Sequence, residues 1–123
     1  MNTSKDFLKD AVSLRQDAMS EARRRTILSR LYYAAYHRMN ETEIGQQFHR
    51  DPKRGVGMHR QFLDHLQHSS DKTFKRTYRH LFDMYKLRIL ADYKLNKNIS
   101  VDDVRHQYED ADALFHDILG DTP

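Results

Sequence analysis

Glycine and proline are so scarce in this chain, four and two in 123 residues, that there are few places for a helix to stop. Runs of β-branched residues are missing, so strands find no template. What remains is apolar residues at three- and four-residue steps, the repeat of an amphipathic helix. The expected fold is all-α: a compact bundle of five amphipathic helices with short connections, forming a single domain over residues 1–123. A chain of this size buries roughly two-thirds of its unfolded surface and needs no covalent staples.

The periodicity places the helices. A first begins near Ser4 and carries Phe7, Leu8, Ala11, Val12, Leu14 and Ala18. Ser20 caps a second, which runs through Ile27, Leu28, Leu31, Tyr32, Ala35 and Met39 toward Phe48. Residues 49–57, His-Arg-Asp-Pro-Lys-Arg-Gly-Val-Gly, break the pattern and read as a basic loop. A third helix starts near Met58, and a fourth spans about Thr73 to Leu95. After a turn at Asn96–Asn98, Ser100 and Asp103 form a capping box for a fifth, with Gly120 as its stop.

Composition excludes several kinds of chemistry. There is no cysteine, hence no disulfide, thiolate nucleophile or sulfur-ligated zinc. The helical Glu-x-x-His pairs of di-iron bundles, the phosphate-binding P-loop and the dinucleotide glycine fingerprint are all missing. His65 and His68 share a helical face with no third ligand beside them. Neither a metal nor another cofactor is expected. No apolar run approaches the ~20 residues of a membrane span, and the N-terminus lacks a signal-peptide core, so the expected location is the cytoplasm. The formal charge of +3 and a pI near 9.2 lean toward polyanions. Arg50, Lys53, Arg54 and Arg60 cluster around the loop and are candidates for contacting a nucleic-acid backbone.

Two helical segments carry polar groups where core is expected: Ser29-Arg30-Leu31-Tyr32-Tyr33-Ala34-Ala35-Tyr36-His37 and Leu87-Arg88-Ile89-Leu90-Ala91-Asp92-Tyr93. A buried polar group without a partner costs about 1–3 kcal/mol, and a charged one more. Two such segments in one small chain suggest a shared site. Arg30, Tyr33 and His37 fall on one face of their helix, while Arg88 and Asp92 are i,i+4 neighbours able to pair, with Tyr85 on their side. If the helices pack together, Arg30, Tyr33, His37, Arg88 and Asp92 converge. Guanidiniums that hold phosphate, with a histidine that moves a proton, suit phosphodiester cleavage. The bland alternative is an internal Arg88–Asp92 ion pair with a hydrogen-bonded histidine.

These two motifs, in this order and with a loop entering a helix at His59 between them, resemble the HEPN superfamily, in particular its small stand-alone prokaryotic members. The likeness spans roughly residues 4 to 119. It implies an up-and-down, dimerising bundle of four to five helices from a toxin–antitoxin or anti-phage defence system, and many active members are metal-independent endoribonucleases. Their signature is an arginine, four to six intervening residues, then a histidine. After Arg88 those positions hold Tyr93, Lys94 and Leu95; Arg30 with His37, Arg54 with His59 and Arg60 with His65 meet the spacing instead. The resemblance therefore implies a variant site of Arg30, His37, Arg88 and Asp92, with Tyr33, His59 and Tyr93 in support. It equally admits a non-catalytic module that binds nucleotide or docks a protein such as an antitoxin or a nucleotidyltransferase, for which Tyr93 is the candidate target.

Overall fold

The computed structural model describes residues 20–120, so the helix expected from Ser4 lies outside the described residues. The elements are α1 (Glu21–Asn40), α2 (Glu43–Gln46), α3 (Met58–Gln67), α4 (Lys72–Tyr93) and α5 (Val101–Asp112), the last widening into a π-helical stretch, Ala113–Ile118. Among the described residues there is no strand, and no helix is long and apolar enough to cross a membrane. The result is a helical bundle.

Its helices begin where side chains can satisfy free N–H groups. Ser20 accepts from the Arg23 N–H at 3.2 Å, and Asp71 does the same for Thr73 at 2.8 Å. Ser100 and Asp103 exchange bonds of 3.0 and 2.9 Å in the expected capping box. Gly120 adopts φ 71°, the left-handed conformation that ends a helix.

The second helix does not continue to Phe48. It ends at Asn40, and Thr42 caps the single turn of α2 by accepting from the Gly45 N–H at 3.2 Å. Gly45 makes this fold-back possible. A Cβ there would lie 2.0 Å from the Met39 carbonyl oxygen and 2.8 Å from the Asn40 Cα. Periodicity alone cannot register that approach, because it is a contact between backbones.

The core centres on α1, which packs against both α4 and α5. Ile27, Leu28, Leu31 and Met39 of α1 are sealed against Leu81 and Met84 of α4 and Phe62 and Leu66 of α3. Three polar ties set the helix positions. The buried Gln107 amide donates to the carbonyls of Leu28 (2.9 Å) and Met84 (3.1 Å), joining α5 to α1 and α4. His80 and Asp110 pair at 2.8 Å between α4 and α5. Arg25 caps the C-terminal end of α4, donating to the carbonyls of Ala91 (2.8 Å), Leu90 (3.1 Å) and Lys97, while Glu21 holds its other side at 2.9 Å. Unpaired carbonyls at a helix end carry partial negative charge, so a guanidinium is well suited there.

Gly45→Ala tests the fold-back. In an isolated helix the change would gain about 1 kcal/mol. Here it is expected to destabilise by about 2 kcal/mol or more, because the added methyl meets rigid backbone. The measurement is the urea midpoint, and a variant as stable as wild type would contradict the close approach.

Candidate functional site

Arg25, Ser29, Tyr33 and His37 follow one another at four-residue steps, which sets them in a ridge along one side of α1. The ridge lies against the C-terminal half of α4. There Arg88 is buried, with 8% of its surface exposed. Its Nε donates to Asp92 Oδ2 at 3.0 Å, and one terminal nitrogen donates to the Tyr33 hydroxyl at 2.8 Å and reaches the Tyr93 hydroxyl at 3.5 Å. The guanidinium also lies 5.2 Å from the ring centres of Tyr33 and Tyr93, within cation–π range. Ser29 donates to the Asp92 carboxylate, 2.9 and 3.0 Å from its two oxygens. Burial works against the charge on Arg88, but Tyr33, Tyr93, Asp92 and Tyr32 together outweigh it and hold the group above its ordinary value. Arg88 stays a cation.

His59 enters from the first turn of α3. Its ring sits 4.5 Å from that of Tyr36, 5.4 Å from Tyr32 and 5.9 Å from Tyr33. The Tyr32 hydroxyl lies 2.7 Å from His59 Nδ1. Burial, reinforced by Tyr36, drives the Tyr32 phenol far above its usual range, so it keeps its proton. Burial also pushes the His59 imidazole down to about 4, with the Arg88 charge and His37 adding to the effect. Among the described residues the buried Tyr32 hydroxyl has His59 as its hydrogen-bond partner, so it donates to Nδ1. The neutral imidazole must then carry its own proton on Nε2. His59 is a fixed, uncharged donor at neutral pH.

The structure therefore brings Arg88, Asp92, Tyr33, Tyr93 and His59 together. His37 stands at the end of the ridge, its ring 6.4 Å from Tyr33 and 5.6 Å from Tyr36. Arg30 is exposed. It lines an open cleft of about 430 Å³ with Arg25, Thr26, Ser29, Tyr33 and Asp92. Arg88 is not among the cleft's walls; Tyr33 and Asp92, which hold it, are.

The loop residues divide. Arg54 pairs with Asp64 at 2.9 Å, and Arg60 lies 3.9 Å from the same carboxylate. Arg50 and Lys53 are exposed on a loop held by Gln61, which bonds the backbone of Asp51 and Val56. Of the arginine run at residues 23–25, Arg24 and Arg25 serve backbone carbonyls, Arg24 that of Ile99 at 2.7 Å. His65 and His68 bond the carbonyls of Ile44 and Asp64, each at 2.7 Å.

No family model, curated protein or solved structure matches the chain significantly. The site must be read from its own chemistry. Among the described residues no three His, Asp or Glu side chains gather in a way that could hold a metal ion.

Sequence reasoning missed Ser29, Tyr32 and Arg25. Ser29 and Arg25 were detectable, since both continue the four-residue ridge through Tyr33 and His37. Tyr32 was not, because its ring belongs to the core and only its hydroxyl belongs to the site.

The pH dependence of stability tests the His59 environment. Above the unfolded imidazole value of 6.5 the residue contributes no slope. As pH falls through 6.5, the unfolded chain takes up a proton that the native site refuses, so stability is lost until native His59 titrates near 4. Allowing for its partial exposure, about 2 kcal/mol should disappear over that window. His59→Gln, which preserves an acceptor for Tyr32, should flatten that part of the profile in urea titrations. An unchanged slope would refute the assignment.

Proposed function

We propose that this chain is an HEPN-like protein of the cytoplasm that acts on RNA as a metal-independent endoribonuclease, working as a homodimer in a toxin–antitoxin or anti-phage defence system. One observation carries the reading: Arg88, Asp92 and Tyr33 converge from two helices on a cleft whose rim holds Arg30, with His37 and His59 beside Tyr33. The architecture is a helical bundle, and the two motifs of the resemblance meet in it.

In this reading an RNA phosphate enters the cleft and meets Arg30. It also meets the Tyr33 hydroxyl. Because that oxygen accepts from Arg88, its own proton is left to donate toward the phosphate, and the guanidinium acts through the phenol. Asp92, held by Ser29, orients Arg88. The ribose 2′-oxygen bonds to phosphorus, the bond to the 5′-oxygen breaks, and a 2′,3′-cyclic phosphate and a 5′-hydroxyl result. His37 carries the proton from the 2′-hydroxyl to the departing 5′-oxygen. His59, neutral and protonated on Nε2, is a hydrogen-bond donor and not the base.

A second reading has its own support. Arg88 is almost fully enclosed and its contacts are internal, as expected of a structural tie in a non-catalytic module. Beside it Tyr93 and Leu95 are 64% and 76% exposed, a surface on which a nucleotidyltransferase or antitoxin could dock, or beside which a nucleotide could bind.

The deciding assay incubates the purified protein with RNA in excess chelator and examines product ends. Cleavage with cyclic-phosphate termini is expected. His37→Ala should slow it by about a hundredfold or more, within the range for a lost general acid or base. Tyr33→Phe, which removes one oxygen and keeps the ring, should slow it about tenfold or more. No turnover at any protein concentration would favour the binding module. Cutting at the wild-type rate by both variants would remove these residues from the mechanism.

A further inference from the structure

The first half of α4 has a surface that the Arg88 site does not use. From Lys72 to Phe82 the chain carries four cations (Lys72, Lys75, Arg76 and Arg79) and no carboxylate, and all four are exposed. Thr77 and Leu81 turn fully into the core. That leaves Phe74, Tyr78 and Phe82, at four-residue steps, as a half-buried row along the flank. Successive positions step about 6 Å along the axis. The rings of Tyr78 and Phe82 lie nearly parallel, 7° apart, with centres separated by 5.6 Å.

Cations lie against this row from two helices. On α4, Lys75, Arg79 and Lys86 fall beside it by helical spacing, and the Lys86 ammonium lies over the Phe82 ring, 5.0 Å from its centre, a place that a base would take as a phosphate draws the ammonium off. From α3, the Arg60 guanidinium stands 5.6 Å from the same ring. Two carboxylates oppose them: Asp83 lies 3.2 Å from Lys86, and Asp64 neighbours both Arg60 and Arg54. The Lys86, Arg60 and Arg54 side chains are 59%, 50% and 45% exposed. Ion pairs so exposed are weak, and a phosphate can replace the carboxylate. Through Asp64 the row is continuous with the basic loop.

We propose that this flank is a platform for single-stranded RNA, with bases on the rings of Tyr78 and Phe82 and phosphates on Lys75, Arg79, Lys86 and Arg60. Stacked aromatic faces bordered by cations are how sequence-tolerant proteins hold a single strand, because every base has a face and every nucleotide a charge. A duplex fits poorly, since its bases already stack on one another. The inference rests on the RNA reading above for its choice of ligand and adds where the strand runs before it reaches the cleft.

The test uses the full chain and a labelled oligouridine with 2′-O-methyl riboses, which cannot undergo transesterification, followed by fluorescence anisotropy. The double variant Tyr78→Leu with Phe82→Leu keeps apolar bulk and removes the faces. Its melting temperature is measured alongside, and affinity is expected to fall about tenfold or more. Lys75→Gln with Arg79→Gln, both at exposed positions, should make log K against log salt shallower by about 1.4. With cleavable RNA the leucine variant should raise KM and leave kcat unchanged. Binding without cleavage would keep the platform and reject the nuclease reading. Cleavage with wild-type KM in the leucine variant would reject the platform alone. Wild-type protein that binds no oligouridine, or a leucine variant that binds as wild type while losing self-association, would also overturn the platform.

Discussion

A guanidinium cannot be left inside a small protein without partners, and the way Arg88 finds them governs how α1 and α4 meet. Asp92 lies one turn along the same helix and supplies the charge. Ser29 and Tyr33 on the opposing helix complete the shell, one holding the carboxylate and the other accepting from the guanidinium. A one-residue slip of α1 would turn its ridge away by about 100° and leave Arg88 and Asp92 facing apolar side chains. The polar seam thus specifies the register of two helices whose apolar contacts alone would tolerate several.

Arg25 reinforces that register from the end of the seam. By gathering carbonyls from the last turn of α4 and the segment after it, it ties the backbone that carries Asp92 and Tyr93 to the start of the ridge. Gln107 does the same from the other side of α1. These contacts keep the cleft walls on rigid helices, where side-chain positions are most closely defined.

The chemistry follows from unequal burial around a common charge. His59 is pressed into aromatic rings close to Arg88 and is held neutral, so it has become a donor of fixed tautomer. His37, farther along the ridge, carries the proton in the proposed reaction. Sequence spacing treats the two histidines alike. Their surroundings separate them.

The helical class, the caps at Ser20 and Ser100, the loop at 49–57, the stop at Gly120 and the Arg88–Asp92 pair were all legible in the chain, because each depends on residues within a few positions of one another. Partnerships across tens of residues were not. The termination of α1 at Asn40 depends on two backbones touching at Gly45. The conversion of Arg25 from a surface cation to a helix cap depends on where α4 happens to end. The bond from Tyr32 to His59 depends on α3 being brought under α1. Local order is written in propensity and spacing, which one-dimensional information contains. Which buried donor meets which acceptor is decided only when the bundle closes, since desolvation acts on the assembled interior and not on the separate helices.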